Sequence, residues 1–133
     1  MRFEMIKKVE QADLDELEHV NNVRYLQWIQ DISRAHWEAA APEDIRKTGI
    51  WVVRQHLVQY KSAAKLGDTL QLRTFIKKSE GAISTRVVEM KDLSSGKPIV
   101  RSETEWCLLD RQTHRPMRIP EEIRAVFSPK TES

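Results

Sequence analysis

Two periods organise this chain. From residue 21 to about residue 40, Arg24, Gln27, Asp31, Arg34 and Glu38 recur at steps of three and four and define a polar stripe. Tyr25, Ile29, Ile32, Ala39 and Ala40 lie opposite, with Leu26 and Trp28 widening the apolar side. That period predicts an amphipathic helix about 30 Å long, enough to cross a small sheet. Asn21 or Asn22 suits the N-cap. Pro42 stops the helix by pushing its predecessor out of the α region, and 42–48 can add one more turn before Gly49. Elsewhere the period is two. Phe3 to Val9 reads as an edge-type first strand and Trp51 to Lys61 as an apolar strand whose alternation is imperfect. Thr69 to Lys77 alternates cleanly, with Leu70, Leu72, Thr74 and Ile76 on one face. Ala82 to Lys91 follows. After the turn residues 92–96, Ile99 to Asp110 points Val100, Ser102, Thr104, Trp106 and Leu108 inward. Glu121 to Phe127 can close the chain as a short helix, and the last six residues read as frayed. A strand, a long helix and four meandering strands predict an α+β fold, one helix covering one face of an antiparallel sheet.

With 133 residues the expectation is one domain, 1–133, large enough for its own core. Lys and Arg number 22 against 20 Asp and Glu, so the basic footprint of a nucleic-acid binder is missing, and the slight excess suits a small anion better than a polyanion. One cysteine, Cys107, excludes an intrachain disulfide and a Cys-rich zinc site; mid-strand among apolar neighbours it reads as an inert buried thiol. His19, His36, His56 and His114 have no metal-ligand spacing, so no metal is expected. No apolar run approaches the length of a membrane span and the N-terminus has no signal-like apolar segment, which makes a cytosolic protein the expectation.

The chemistry concentrates just ahead of the helix, in Asp13, Asp15, His19, Asn21 and Asn22, within a segment from 11 to 18 that reads as loop. An acid upstream of a helix N-terminus sits in a field that favours its charged form and is available as a base or nucleophile. The free N–H groups of the first helical turn are donors for a developing oxyanion. From spacing alone, Asp15 reads first as a loop cap, Asp13 as an acceptor for loop amides, and the asparagines as caps. His36 and Ser33 fall on the apolar side of the helix and, with His56, fit no nucleophile motif; they read as satisfied core polar groups.

Asp13, Asp15, His19, Val20, Asn21, Asn22 and Tyr25, in that spacing, resemble the signature of the hotdog-fold acyl thioesterases, the subset that carries His-Val-Asn-Asn. The 65–68 run (KLGD) and the 106–120 run (WCLLDRQTHRPMRIP) extend the likeness over nearly the whole chain. The resemblance implies a single hotdog domain, its sheet wrapped around the central helix, that hydrolyses an acyl-CoA or acyl-carrier-protein thioester without a cofactor. It implies Asp15 as base or nucleophile, the Asn22 N–H on the thioester oxygen, His19 in support, and Asn21 and Tyr25 near the substrate. Lys61, Lys65 and Arg111 are candidates for the CoA phosphates. A homodimer or homotetramer, paired edge to edge with sites between protomers, is also implied. Glu18 departs from the pattern, since many relatives carry Gly there and other branches Gln; its charge could repel Asp15 or an anionic substrate, or simply point to solvent. A non-catalytic acyl-thioester-binding domain is the alternative, and a hotdog dehydratase is less consistent with the motif.

Overall fold

The computed structural model describes residues 2–128. β1 (Arg2–Lys8) leads through a 3-10 turn (Gln11–Asp13) to the helix α1 (Asn22–Ala40) and a short α2 (Glu43–Thr48). The strands β2 (Gly49–Tyr60), β3 (Thr69–Glu80), β4 (Ile83–Asp92) and β5 (Pro98–Asp110) follow, and α3 (Glu121–Val126) ends the described chain. Every strand pairing is antiparallel, in the order β1-β3-β4-β5-β2. The α+β expectation holds, but one neighbour relation differs from a simple meander. β2 pairs with β5 at the far edge, and β1 takes the place beside β3. The connection through α1 and α2 takes the chain from one edge to the other, so the strand before it and the strand after it lie on opposite edges.

α1 begins as its sequence dictates. Asn21 sits in extended conformation with its side-chain oxygen accepting from the Val23 N–H, while Ala41 and Pro42 end the helix. The buried side is Tyr25, Trp28, Ile29, Ile32, Ser33 and His36. Ala39, expected on that side, is exposed because the helix has by then passed the end of the main core. In β3 the alternation holds, with Leu70, Leu72, Thr74 and Ile76 buried. In β2 it breaks at a bulge between Val53 and Gln55. Gly49 and Trp51 face inward before the bulge and His56 and Val58 after it, because one extra residue reverses the parity. Cys107 is half-buried rather than enclosed.

The core has two apolar parts. One gathers Tyr25, Trp28, Ile29 and Ile32 against Leu70, Leu72, Val88, Met90 and Val100; the other joins Ala41 and Ile45 to Ile76, Leu108, Ile119, Ile123 and Phe127. A polar belt, which includes Ser33, His36, Thr74, Arg86, Ser102 and Thr104, is buried along with them. Because α1 packs over β3 and β1, the inner face of β2 has little above it. Val53 and Tyr60 are exposed on that face, and Ile50, Val52 and Leu57 are exposed on the other face of the edge strand. No helix among the described residues is long and apolar enough to cross a membrane.

Candidate active site

The segment ahead of α1, expected as plain loop, is a tight hairpin. The Asn21 N–H donates to the Asp13 carbonyl, Leu14 bridges Val20, and the Asp15 N–H donates to the His19 carbonyl at 2.8 Å. Asp15 Oδ1 fastens the tip by accepting from the N–H groups of Leu17 (2.9 Å) and His19 (3.2 Å). Oδ2 has no donor among the described residues, so half of this partly exposed carboxylate stays available. Glu18 closes the turn at φ 62°, in the left-handed region. Glycine adopts this backbone without strain, and the exposed Glu18 side chain has no part in the turn.

Asp13 does the structural work expected of it. It is buried, accepts from the Glu10 N–H at 2.9 Å and lies 3.4 Å from Arg24 Nε. Arg24 in turn donates to the Ala12 carbonyl and fixes the loop to the helix. Asn22, the first helical residue, has a main-chain N–H without an acceptor among the described residues, whereas the next two N–H groups are taken by Asn21. A free donor at a helix N-terminus suits a developing negative charge. His19 is exposed and reaches Asp15 through its main chain; no hydrogen bond of its imidazole is present among the described residues.

Tyr25 is in the core, not at an open surface. Its hydroxyl accepts from the Ala64 N–H at 3.2 Å, and burial raises its pKa. Since the Val20 N–H donates to the Ala64 carbonyl, this tyrosine holds the β2–β3 connection against the helix start. Lys65 is exposed there, its backbone bridged to His19, and Lys61 is exposed beside the outer sheet face. Ser33, His36 and His56 are apart: they bond to the Ile29 carbonyl, to Arg86 and to Thr104 respectively. Among the described residues no group of three or more His, Cys, Asp or Glu could hold a metal ion.

A cavity of about 570 Å³ opens further along α1, where β2 lacks cover. Its floor is one cross-strand row, Ser79, Ser84, Trp106 and Val53, set by the register of β3, β4, β5 and β2. The volume suits a small-molecule site. Trp106 is inward as the alternation of β5 predicts; Arg86, which belongs to no sequence motif, also lines the cavity. The signal was its parity: Arg86 shares the inward register of Val88 and Met90, where a charge is unusual.

Known structures share this architecture. Slr0204, a 1,4-dihydroxy-2-naphthoyl-CoA thioesterase from Synechocystis, superposes with TM-score 0.82 at 15% identity over 98% of both chains. A 4-hydroxybenzoyl-CoA thioesterase variant with 4-hydroxybenzoyl-CoA gives 0.86 at 14% identity, covering 96% of this chain and 99% of that one. In sequence, the chloroplastic palmitoyl-acyl carrier protein thioesterase of Arabidopsis thaliana is 28% identical over 90 residues, 68% of this chain and 22% of the relative. An oleoyl-acyl carrier protein thioesterase of the same plant is 35% identical over 85 residues, 60% of this chain and 23% of the relative. The chain spans about a fifth of the length of the curated relatives it matches. Residues 2–127 match the acyl-ACP thioesterase N-terminal domain, and the chain belongs to that family.

Proposed function

We propose that the protein hydrolyses the thioester of an acyl-CoA or acyl-carrier protein, releasing a carboxylic acid and a thiol. The observation that carries this reading is the pairing of a half-free carboxylate, Asp15, with the acceptor-less Asn22 N–H across one hairpin that ends at the helix N-terminus. Asp15 Oδ2 takes a proton from water, or attacks the carbonyl carbon, while the Asn22 N–H and the helix dipole stabilise the oxyanion. The plant relatives' names point to the same reaction class. His19, Asn21, Tyr25, Lys61 and Lys65 frame this end, Tyr25 from within the core and the lysines as cations for a phosphate-bearing carrier.

Two copies complete the site in this proposal. β2 is a twelve-residue edge strand with apolar side chains exposed, a liability unless it is paired, whereas the other edge, β1, is short and rich in charge. Pairing β2 with its own copy about a two-fold axis runs the strands antiparallel. The Tyr60 end, beside Tyr25 and the helix start, then approaches the Gly49 end of the other copy, where the cavity lies. The reacting groups of one protomer thus serve the acyl compartment of the other, as a dimer or a dimer of dimers.

The test is kcat on a panel of acyl-CoAs for the protein and for Asp15→Asn and Asp13→Asn. In Asp15→Asn the amide oxygen still accepts the two tip N–H groups, so fold and oligomer persist while turnover falls by about 10²–10⁴-fold, the contribution of a positioned base. Asp13→Asn acts mainly on stability. Wild-type turnover in folded Asp15→Asn removes the assignment, and no hydrolysis of any acyl-CoA or acyl-carrier protein leaves a binding domain instead.

A further inference from the structure

The cavity beneath α1 carries an unusual charge. Three arginines line it, Arg34, Arg86 and Arg111, and no acidic residue among the described ones does. Arg86 is 6% exposed, and no carboxylate pairs with it among the described residues. Both of its hydrogen bonds run through Nη1, to His36 Nδ1 (2.9 Å) and to Thr74 Oγ1 (3.0 Å). Thr74 passes its own proton to the Val87 carbonyl and so serves Arg86 as acceptor. The N–H groups on Nη2 and Nε are left without an acceptor among the described residues. One register step away Trp106 Nε1, a donor only, is buried without a partner. His36 gives up Nδ1 as acceptor and keeps a buried Nε2 with no partner.

A guanidinium removed from water without a counter-ion is costly, and buried donors without acceptors add to that cost. The unmet groups on the cavity lining, those of Arg86 and Trp106, are donors, and the surrounding charge is positive. Ser102 Oγ, also buried without a partner among the described residues, lies one row beyond Arg86 and outside that lining. An apolar chain alone would leave all of them unmet; a water would meet some but would leave the charge. An anionic oxygen meets both, and the planar fork of arginine binds a carboxylate through two parallel N–H donors. We propose that this cavity receives acyl groups whose far end carries a carboxylate, bound by Arg86 with Trp106 Nε1–H as second donor. The substrates of this class are ω-carboxyacyl thioesters, and the apolar walls given by Trp37, Ile76, Ile119 and Ile123 enclose the methylenes between the two ends. The inference rests on the cavity being the acyl compartment of the thioesterase reading.

The experiment measures kcat/KM for chain-matched pairs of CoA thioesters, hexanoyl against adipoyl at the centre of a series from succinyl to sebacoyl. At the best-fitting length the carboxyacyl member is preferred by at least ~10-fold, since a site built to pair a polar group discriminates strongly against its absence. Arg86→Met brings the ratio to unity or below, and Trp106→Phe, which removes only one N–H, lowers it ~3-fold. A parent ratio at or below unity across the series overturns the proposal, as does a ratio unchanged in folded Arg86→Met. Should that variant fail to fold, the parent ratio and Trp106→Phe decide. Calorimetry with adipate and 1,6-hexanediol separates the two readings. Adipate binding that needs Arg86, in a protein that cleaves no thioester, sinks hydrolysis and keeps the anion site. Hydrolysis without carboxylate preference does the reverse.

Discussion

Acidification tests the buried polar belt directly, through His36. The imidazole is 1% exposed, stacked on Phe3 at 5.2 Å and met edge-on by Phe127 at 4.7 Å. Burial, and the Arg86 charge that donates to Nδ1, lower its pKa from 6.5 to about 3. The folded protein therefore keeps the ring neutral at pH values where the unfolded chain has already protonated it. Stability from this group is present above pH 6.5 and is lost as pH falls toward 3, with a slope approaching ~1.4 kcal/mol per pH unit. From pH 7 to pH 5 the loss comes to about 2 kcal/mol. Most carboxylates have not yet titrated in that window, but His56, whose pKa burial also lowers, adds a share of the same sign. His36→Gln isolates the His36 part, because glutamine carries an acceptor for Arg86 and does not titrate. Urea unfolding at half-unit steps from pH 7 to pH 5 is the assay, with the two proteins compared as slopes. His36→Gln loses stability on acidification by about 2 kcal/mol less than the parent. Parallel slopes would refute the reasoning, since they would require His36 to gain its proton in the folded state at the same pH as in the unfolded one.

Other outcomes follow from single contacts. Asn21→Ala removes the acceptor for the Val23 N–H and lowers unfolding free energy by ~1 kcal/mol in chemical denaturation; an unchanged midpoint would remove the cap role. Glu18→Gly relieves a left-handed backbone and raises stability by ~0.5–1 kcal/mol, less than the full relief because glycine loses more chain entropy on folding. A drop in its thermal midpoint would contradict this. Sedimentation at micromolar concentration shows a dimer or tetramer, and Val52→Lys with Leu57→Lys shifts it toward monomer with loss of turnover; a fully active monomer would refute the shared site.

Much of this protein was legible in one dimension because its strongest signals are local. The α1 stripe, the Asn21 cap, the Pro42 stop and the β3 alternation each depend on residues within a turn or two of one another. The motif of Asp13, Asp15 and the two asparagines stands out for the same reason: hairpin, cap and free N–H are built by neighbours along the chain. What sequence could not supply was decided by partners distant in the chain. The place of β2 beside β5 depends on where α1 delivers the strand, and the broken alternation of β2 on a bulge that only the pairing with β5 reveals. Tyr25 reads equally as channel wall or core until Ala64, 39 residues away, is found on its hydroxyl. Arg86 and His36 are 50 residues apart, and neither is notable alone. Their charge state, their missing partners and the cavity beside them arise only when sheet register and helix packing exclude water from both, because desolvation is a property of the assembled surroundings and not of any stretch of chain.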